Sequence, residues 1–483
     1  MYRNRSNVLA LAAAAVLAIQ GCREQAAPTE VPAQPGLSAS ATSPVQAGRY
    51  LVVFAVERVS DDFGTRVSQL AGAVETSLDS IGAATVTGLS EAAAAELATG
   101  ADIEAVEADR VIALVDDAEA PEASAAFTAG QTLAPADVTA SPTGAQFYAR
   151  QWNMRAVFAD QAWAAGHLGS RDVVVAILDT GIDYTLPDFA GLVDVGRSKS
   201  FTPEEDPVVT ERYPGRLPIS DLRDHGTAAA SVIATNGMVL AGVNQEATLI
   251  AVKIFDRFDQ GSVAQFLQGL VYAADQGADV INMSLRFSLH KRAGRGIVAA
   301  INRAANYAFR HGAVLVASAG NDTTSLDHNG DLVALPCEAP HVICAAATAP
   351  TAAASVSGPW ENVDAPASYT AFGRSAIDVA APGGDGLPNQ FRRVWLRCTT
   401  TPTEESAPPC RRGMPITQGF GTSWAAPHVA GLAALLVAQL GHGNPALIRA
   451  RILQSADDLG QPGTDAYYGK GRINIARALG VLP

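Results

Sequence analysis

The sequence predicts an α/β protein: a parallel sheet with helices on both faces, preceded by a small α+β unit. Three observations carry this. Short, wholly apolar runs at residues 173–178, 248–254, 280–284, 314–318 and 342–346 alternate with helical patterns, which is how strands buried on both faces read. Helix starts are marked between and after them. Ser262-Val263-Ala264-Gln265 is a capping box for a helix through Ala274, and Asn444-Pro445 sets a cap and then proline at the first position of a helix reaching Leu453. Ahead of these lies a shorter stretch with its own periodicities, flanked on both sides by low-complexity sequence.

The elements follow in chain order. Met1 to Arg5 carries two arginines, and residues 8–19 are apolar but too few to span a bilayer as a mature helix. Residues 1–21 read as a secretory signal peptide. Leu17-Ala18-Ile19-Gln20-Gly21-Cys22 resembles a bacterial lipoprotein cleavage box, with Gln20 where a small residue is usual. On that reading Cys22 is the lipidated terminus of an exported protein: a bacterial outer-membrane lipoprotein, periplasmic or on the cell surface, or released after processing. Residues 22–48, rich in Ala, Pro, Ser and Gln, form a flexible tether. Residues 49–115 form the α+β unit, with a strand over 50–56, a helix over 61–78, a strand over 83–89, a helix capped by Ser90, and a last strand or two over 103–114. Residues 116–145 lack periodicity and read as an exposed linker open to proteolysis. Residues 146–483 hold the main domain. Of the 483 residues 48% are apolar, enough for an ordinary core, and a net charge of −14 argues against a nucleic-acid partner.

Four short stretches carry chemistry. Gly421-Thr422-Ser423-Trp424-Ala425-Ala426-Pro427-His428-Val429-Ala430-Gly431 sets Ser423 between a Gly-rich turn and an apolar helix. Its backbone N–H points out of a helix N-terminus, where a nucleophile with an oxyanion donor would be built. Alone, Ser423 reads better as an N-cap. Leu178-Asp179-Thr180-Gly181-Ile182-Asp183 follows an apolar strand, Asp224-His225-Gly226-Thr227 opens an Ala-rich helix, and Ala317-Ser318-Ala319-Gly320-Asn321-Asp322 closes another strand. Asp179 and Asn321 alone would be turn residues. His428 sits on the apolar helix, where satisfying a backbone group is its expected role.

Together these stretches, in the order Asp, His, Ser, resemble the signatures of the subtilisin-like serine proteases. The resemblance implies that Ser423 attacks the scissile carbonyl, His225 acts as base, Asp179 orients His225, and Asn321 with the Ser423 N–H forms the oxyanion hole. It implies protein and peptide substrates bound along Ser284, Leu285, Arg286 and Ala334. Gln151-Trp152 resembles the start of the mature domain. Residues 49–115, with Val106-Glu107-Ala108-Asp109 before their final strand, resemble the family's ferredoxin-like inhibitory propeptide, so the chain's own propeptide is an expected partner. Arg286 stands where the family has glycine, Ala228 replaces its second histidine, and Ala334 at the pocket floor implies apolar side chains before the cleaved bond. No cofactor is needed for this chemistry. Asp188 matches a family calcium ligand, but loop 236–243 is shorter than the family's calcium loop, which argues against structural calcium there.

Cys337, Cys344, Cys398 and Cys410 in an exported chain point to two disulfides, with three pairings open. Cys398 and Cys410 lie in a long segment, 385–418, that carries Arg392, Arg393, Arg397, Arg411 and Arg412 and leads into Ser423. It reads as a stapled surface excursion, or as a basic lip beside the site. The acidic run Glu204-Glu205-Asp206 reads as a solvated loop. Two rival functions differ from this reading in features that can be checked. An α/β-hydrolase needs Asp and His after its serine, and only a short tail follows Ser423. An inactive binding lipoprotein of the same fold would retain the fold without labelling at Ser423.

Overall fold

The computed structural model describes residues 44–114 and 141–483. The signal segment, Cys22 and most of the tether and linker lie outside the described residues. In the amino-terminal module, β1 (Val45–Phe54), α1 (Phe63–Gln69), β2 (Ala73–Leu78), β3 (Ala83–Thr87), α2 (Glu91–Leu97) and β4 (Ile103–Ala113) form a sheet ordered β2-β3-β1-β4. Every pairing is antiparallel, the ferredoxin-like arrangement. Alternation along β1 sends side chains to two cores. Val52 and Phe54 pack with Phe63, Val67 and Leu97 inside the module. Leu51 and Val53 join a core of the main domain. Ser90 Oγ accepts from the Ala93 N–H at 3.2 Å, capping α2 as expected.

The helix expected over 61–78 holds only over Phe63–Gln69. The chain leaves α1 at Ala71, whose φ is +62°, and Gly72, then runs out as β2. Ala73-Val74-Glu75-Thr76-Ser77-Leu78 alternates with period two, which suits a strand. β1 also begins at Val45, inside the stretch read as tether.

The main domain is built on a sheet in which β5 (Val174–Asp179), β6 (Thr248–Lys253), β8 (Val280–Met283), β10 (Val314–Ser318), β12 (Val342–Ala349) and β13 (Val379–Pro382) run parallel, ordered β13-β12-β10-β8-β5-β6. A short antiparallel pair, β9 (Phe287–His290) with β11 (Leu332–Leu335), stands beside it. Along β5, Val175 and Ile177 face one core and Val174, Ala176 and Leu178 the other. The first core holds α3 (His225–Ile233) and α6 (Thr422–Leu440). The second holds α4 (Val263–Asp275) and α5 (Arg295–Arg310). Ser262 Oγ caps α4 at Gln265 N, 3.2 Å, but Gln265 turns its amide to the Phe201 carbonyl, so the box closes from one side only. Asn444 caps α7 (Pro445–Ser455) through Leu447 N at 3.2 Å.

The module joins this body through β4, which pairs antiparallel with β7 (Gln260–Ser262). Its carboxylates take the two nearby helix N-termini: Glu107 Oε1 accepts from Gly296 N of α5 at 2.7 Å, and Asp109 Oδ1 accepts from Ala264 N of α4 at 3.1 Å. Anions are favoured at such ends.

Two loop expectations fail. Segment 385–418 contains the hairpin β14 (Val394–Arg397) with β15 (Ile416–Gly419), and its arginines 392, 393 and 397 are 8%, 3% and 1% exposed. They are interior struts: Arg392 Nε donates to the Pro350 carbonyl, and Arg397 pairs with Asp188. Those three therefore form no basic lip. Glu205 is likewise buried, 2.7 Å from the Lys253 ammonium at the end of β6 and 3.3 Å from Arg257.

Candidate active site

β5, β8 and β10 end on the same edge of the sheet, where functional groups of open parallel sheets collect. Asp179 closes β5 and is fully buried. The Thr180 N–H donates to its Oδ1 at 2.7 Å. His225 is the first residue of α3, and its Nδ1 lies 2.8 and 2.9 Å from the two Asp179 oxygens. Two glycines allow this approach. A Cβ on Gly226 would come 2.1 Å from the Gly181 carbonyl oxygen, and Gly181 itself sits at φ +111°. Thr180 Oγ1 accepts from Gly226 N at 2.9 Å and donates to Asp221 at 2.9 Å, so the Asp179 turn and the start of α3 share one network.

Ser423 lies in the first turn of α6 and is 5% exposed. The His225 ring packs against that of the next residue, Trp424, with centroids 4.9 Å apart. Pro427 lies four residues beyond Ser423 and has no N–H, so the helix leaves the Ser423 carbonyl without its usual donor. Ser284, just after β8, supplies one from its hydroxyl at 2.9 Å. Asn321, just after β10, has its Oδ1 held by the Thr422 N–H at 2.9 Å and the Thr422 hydroxyl at 2.8 Å. With the oxygen so committed, the amide NH2 is the end available to donate. The four residues singled out by motif thus converge. His428 is apart from them: Nδ1 bonds the Trp424 carbonyl at 2.7 Å, and Nε2 meets Asn153 Nδ2 at 2.9 Å.

A sequence model described as the Subtilase family matches residues 170–471, more than half of the chain. The chain belongs to the subtilase family. The thermophilic serine proteinase of Bacillus sp. (strain AK1) is 32% identical over 343 residues, covering 70% of this chain and 69% of that protein. Thermitase of Thermoactinomyces vulgaris is 31% identical over 344 residues, covering 70% and 99%. The solved epidermin leader peptide processing serine protease of Staphylococcus aureus shares the fold, with a TM-score of 0.67 at 20% identity over 90% of this chain and 98% of its own. This subtilase is accordingly a serine peptidase acting on proteins or peptides.

The expected substrate-binding residues have mixed surroundings. Leu285 and Ala334 are 2% and 1% exposed and pack in the core with Phe287 and Leu289. Ser284 turns to the Ser423 carbonyl. Arg286 lies over Gly320, where a Cβ would meet its Nε at 2.3 Å, and pairs with Asp322. That ion pair bridges the segments after β8 and β10.

The subtilase fold implies a cation at Asp188, and the residues there do not fit one. A calcium site needs six to eight oxygen ligands. Here Asp188 Oδ1 accepts from Val239 N at 2.9 Å, and Oδ2 faces the Arg397 guanidinium at 3.2 Å. The carbonyls of Met238, Val239, Leu240 and Ala241 already accept from Gln146 N, Phe147 N, Thr235 Oγ1 and Gln151 Nε2. A fixed cation from segment 385–418 thus stands at the carboxylate. Among the described residues, no cluster of three His, Cys, Asp or Glu could hold a metal.

Cys337 pairs with Cys344, and Cys398 with Cys410. The second pair closes a segment that reaches the His225 turn, which the motifs did not reveal. Asp221 and Asp224, three apart and just before His225, and the run Thr399-Thr400-Thr401 were the available signals. Burial and the Asp221 charge push the Asp224 carboxyl up to about 8, against the N–H donors that hold it. Burial would also raise Asp183, but hydrogen bonds from Thr400 and Thr185 and the Arg216 charge keep it below the usual range.

Proposed function

We propose that this subtilase is an exported serine endopeptidase made as a self-processing precursor, with Asp179, His225 and Ser423 as its triad. The observation that carries the reading is the bond from His225 Nδ1 to both Asp179 oxygens, at 2.8 and 2.9 Å, with the imidazole held against Trp424 beside Ser423. Asp179 fixes the tautomer in which Nε2 is the base. Nε2 takes the Ser423 proton as Oγ attacks the scissile carbonyl, and returns it to the leaving amine. The oxyanion forms between the Ser423 N–H and the Asn321 amide. Water then hydrolyses the acyl-enzyme by the reverse sequence.

Residues 49–115 act as the propeptide. Glu107 and Asp109 on two helix N-termini, and β4 added beside β7, are the contacts of a docked inhibitor. Leu114 N donates to the Asp259 carbonyl at 2.9 Å, and Asp259 pairs with Arg223, two residues before His225. The chain therefore enters the 116–145 linker close to the His225 turn, and cleavage falls in or near that linker. An apolar residue before the cleaved bond remains the preference that Ala334 supports, with Arg286 narrowing the cleft. Export begins with the signal segment, and a lipid on Cys22 provides the membrane attachment. The test is expression of the wild type and of Ser423→Ala in a host lacking other proteases. The wild type should shed its propeptide and Ser423→Ala should stay full-length. Equal processing of both would refute self-processing.

A further inference from the structure

Residues 398–410 carry an unusual load of buried polar groups for a disulfide-closed excursion. Cys398 and Cys410 are 2% and 1% exposed, and Thr399, Thr401, Thr403 and Ser406 are buried with them. Their donors converge on the turn before His225. Thr399 and Thr401 hydroxyls donate to the Asp221 carbonyl at 2.9 and 2.8 Å, and Thr403 and Ser406 hydroxyls to the Leu222 carbonyl at 2.9 and 3.0 Å. The backbone N–H groups of Thr399 and Ala407 take one oxygen each of Asp224, at 3.0 and 2.9 Å. Asp224 needs holding: it has φ +88°, a left-handed conformation that disfavours a residue with a side chain. The same segment also reaches the other half of the pair. Thr400 N donates to Asp183 Oδ2 at 2.6 Å, four residues past Asp179, and Arg216 spans Asp183 and Thr400 at 2.7 and 2.8 Å.

We infer that the Cys398–Cys410 segment is a clamp that positions His225 against Asp179, with Asp224 and Asp183 as its two anchor points. Asp224 is a positioning residue: it touches neither substrate nor reacting atoms, and acts by fixing the backbone from which His225 projects. The disulfide closes the loop whose two ends supply the two N–H groups on Asp224, Thr399 next to Cys398 and Ala407 three residues before Cys410. Opening it lets those donors separate and lets the left-handed turn relax. This rests on the proposed triad, so the test has one readout that needs turnover and one that does not.

Cys398→Ser with Cys410→Ser, Asp224→Asn and Asp224→Ala are expressed alongside the wild type as full-length chains, and kcat is measured on the processed form of each, shown folded by circular dichroism. A misplaced base costs about ten- to a hundredfold in kcat, with KM changed by less than about twofold. The expected order is wild type, then Asp224→Asn, which keeps one acceptor, then Asp224→Ala. The second readout is the NMR signal of the His225 Nδ1 proton, far downfield while shared with Asp179, recorded on a Ser423→Ala background. It should broaden or move upfield in the clamp variants whether or not the chain turns over substrate. If the double serine variant does not fold, the Asp224 pair carries the test. An unchanged kcat together with an unchanged His225 proton in Asp224→Ala overturns the clamp.

Discussion

Protonation of His428 sets an acid limit on this fold that can be worked from the structure. The side chain is fully buried in α6, five residues after Ser423; its Nδ1 bonds the Trp424 carbonyl and its Nε2 meets the Asn153 amide. The neutral imidazole satisfies both, donating from Nδ1 and accepting at Nε2, whereas the cation would set two donors against each other. Burial lowers its pKa from 6.5 to about 4, partly offset by the Trp424 carbonyl. The unfolded chain therefore binds this proton first as pH falls. Stability from the neutral form is complete above about 6.5 and is lost progressively down to about 4. At 1.36 kcal/mol per unit, that loss is about 3 kcal/mol. His428→Gln keeps a donor and an acceptor without a titrating group. Urea unfolding of both proteins on a Ser423→Ala background, from pH 7 to pH 4, isolates the effect. The wild type should lose about 3 kcal/mol more than His428→Gln over that range. Parallel pH curves would refute the assignment of a buried neutral histidine.

Other outcomes follow from single contacts. Asn321→Ala removes one oxyanion donor and should lower kcat by about 10²–10³ with little change in KM; a fall below about tenfold would contradict its role. Glu107→Ala and Asp109→Ala each delete a charge-assisted bond to a helix N-terminus, worth about 1.5–3 kcal/mol. Either should loosen the propeptide and shorten the lag before activity appears in a purified precursor, and an unchanged lag would count against docking through these caps. Arg397→Ala leaves Asp188 buried and unpaired, and should cost about 3–5 kcal/mol of stability. A chelator should leave the wild-type unfolding transition where it is; calcium stabilisation that Asp188→Asn abolishes would reverse the fit argument at that site.

Much of this fold was legible because its signals are local. Strand runs wholly apolar in sequence are buried on both faces, so β10 spans Val314–Ser318 as read and β5 differs from its reading by one residue at each end. Ser262, Ser90 and Asn444 cap helices because each side chain bonds a backbone N–H three residues on. The four motif residues converge because three strands end together and two helices begin opposite them. In segment 385–418 and at Glu205, the deciding contact is distant in sequence. Nothing near Arg397 announces Asp188, 209 positions earlier, and a charge count of segment 385–418 cannot tell a buried strut from an exposed lip. Glu205 is buried because Lys253 meets it from the end of another strand. The helix read over 61–78 stops at Gln69 for a local reason: Ala71 and Gly72 turn the chain, and the period-two pattern after them is that of a strand.

The central claim is that Ser423 is a nucleophile activated by His225. The most direct measurement is peptide mapping by mass spectrometry after exposure of the folded protein to a fluorophosphonate. The account predicts a phosphonyl adduct on Ser423 and on no other serine, lost in Ser423→Ala and nearly lost in His225→Ala, while Trp fluorescence shows each protein folded. A folded, processed wild type that carries no adduct at Ser423 would contradict it, and would leave a binding protein that keeps the fold without the chemistry.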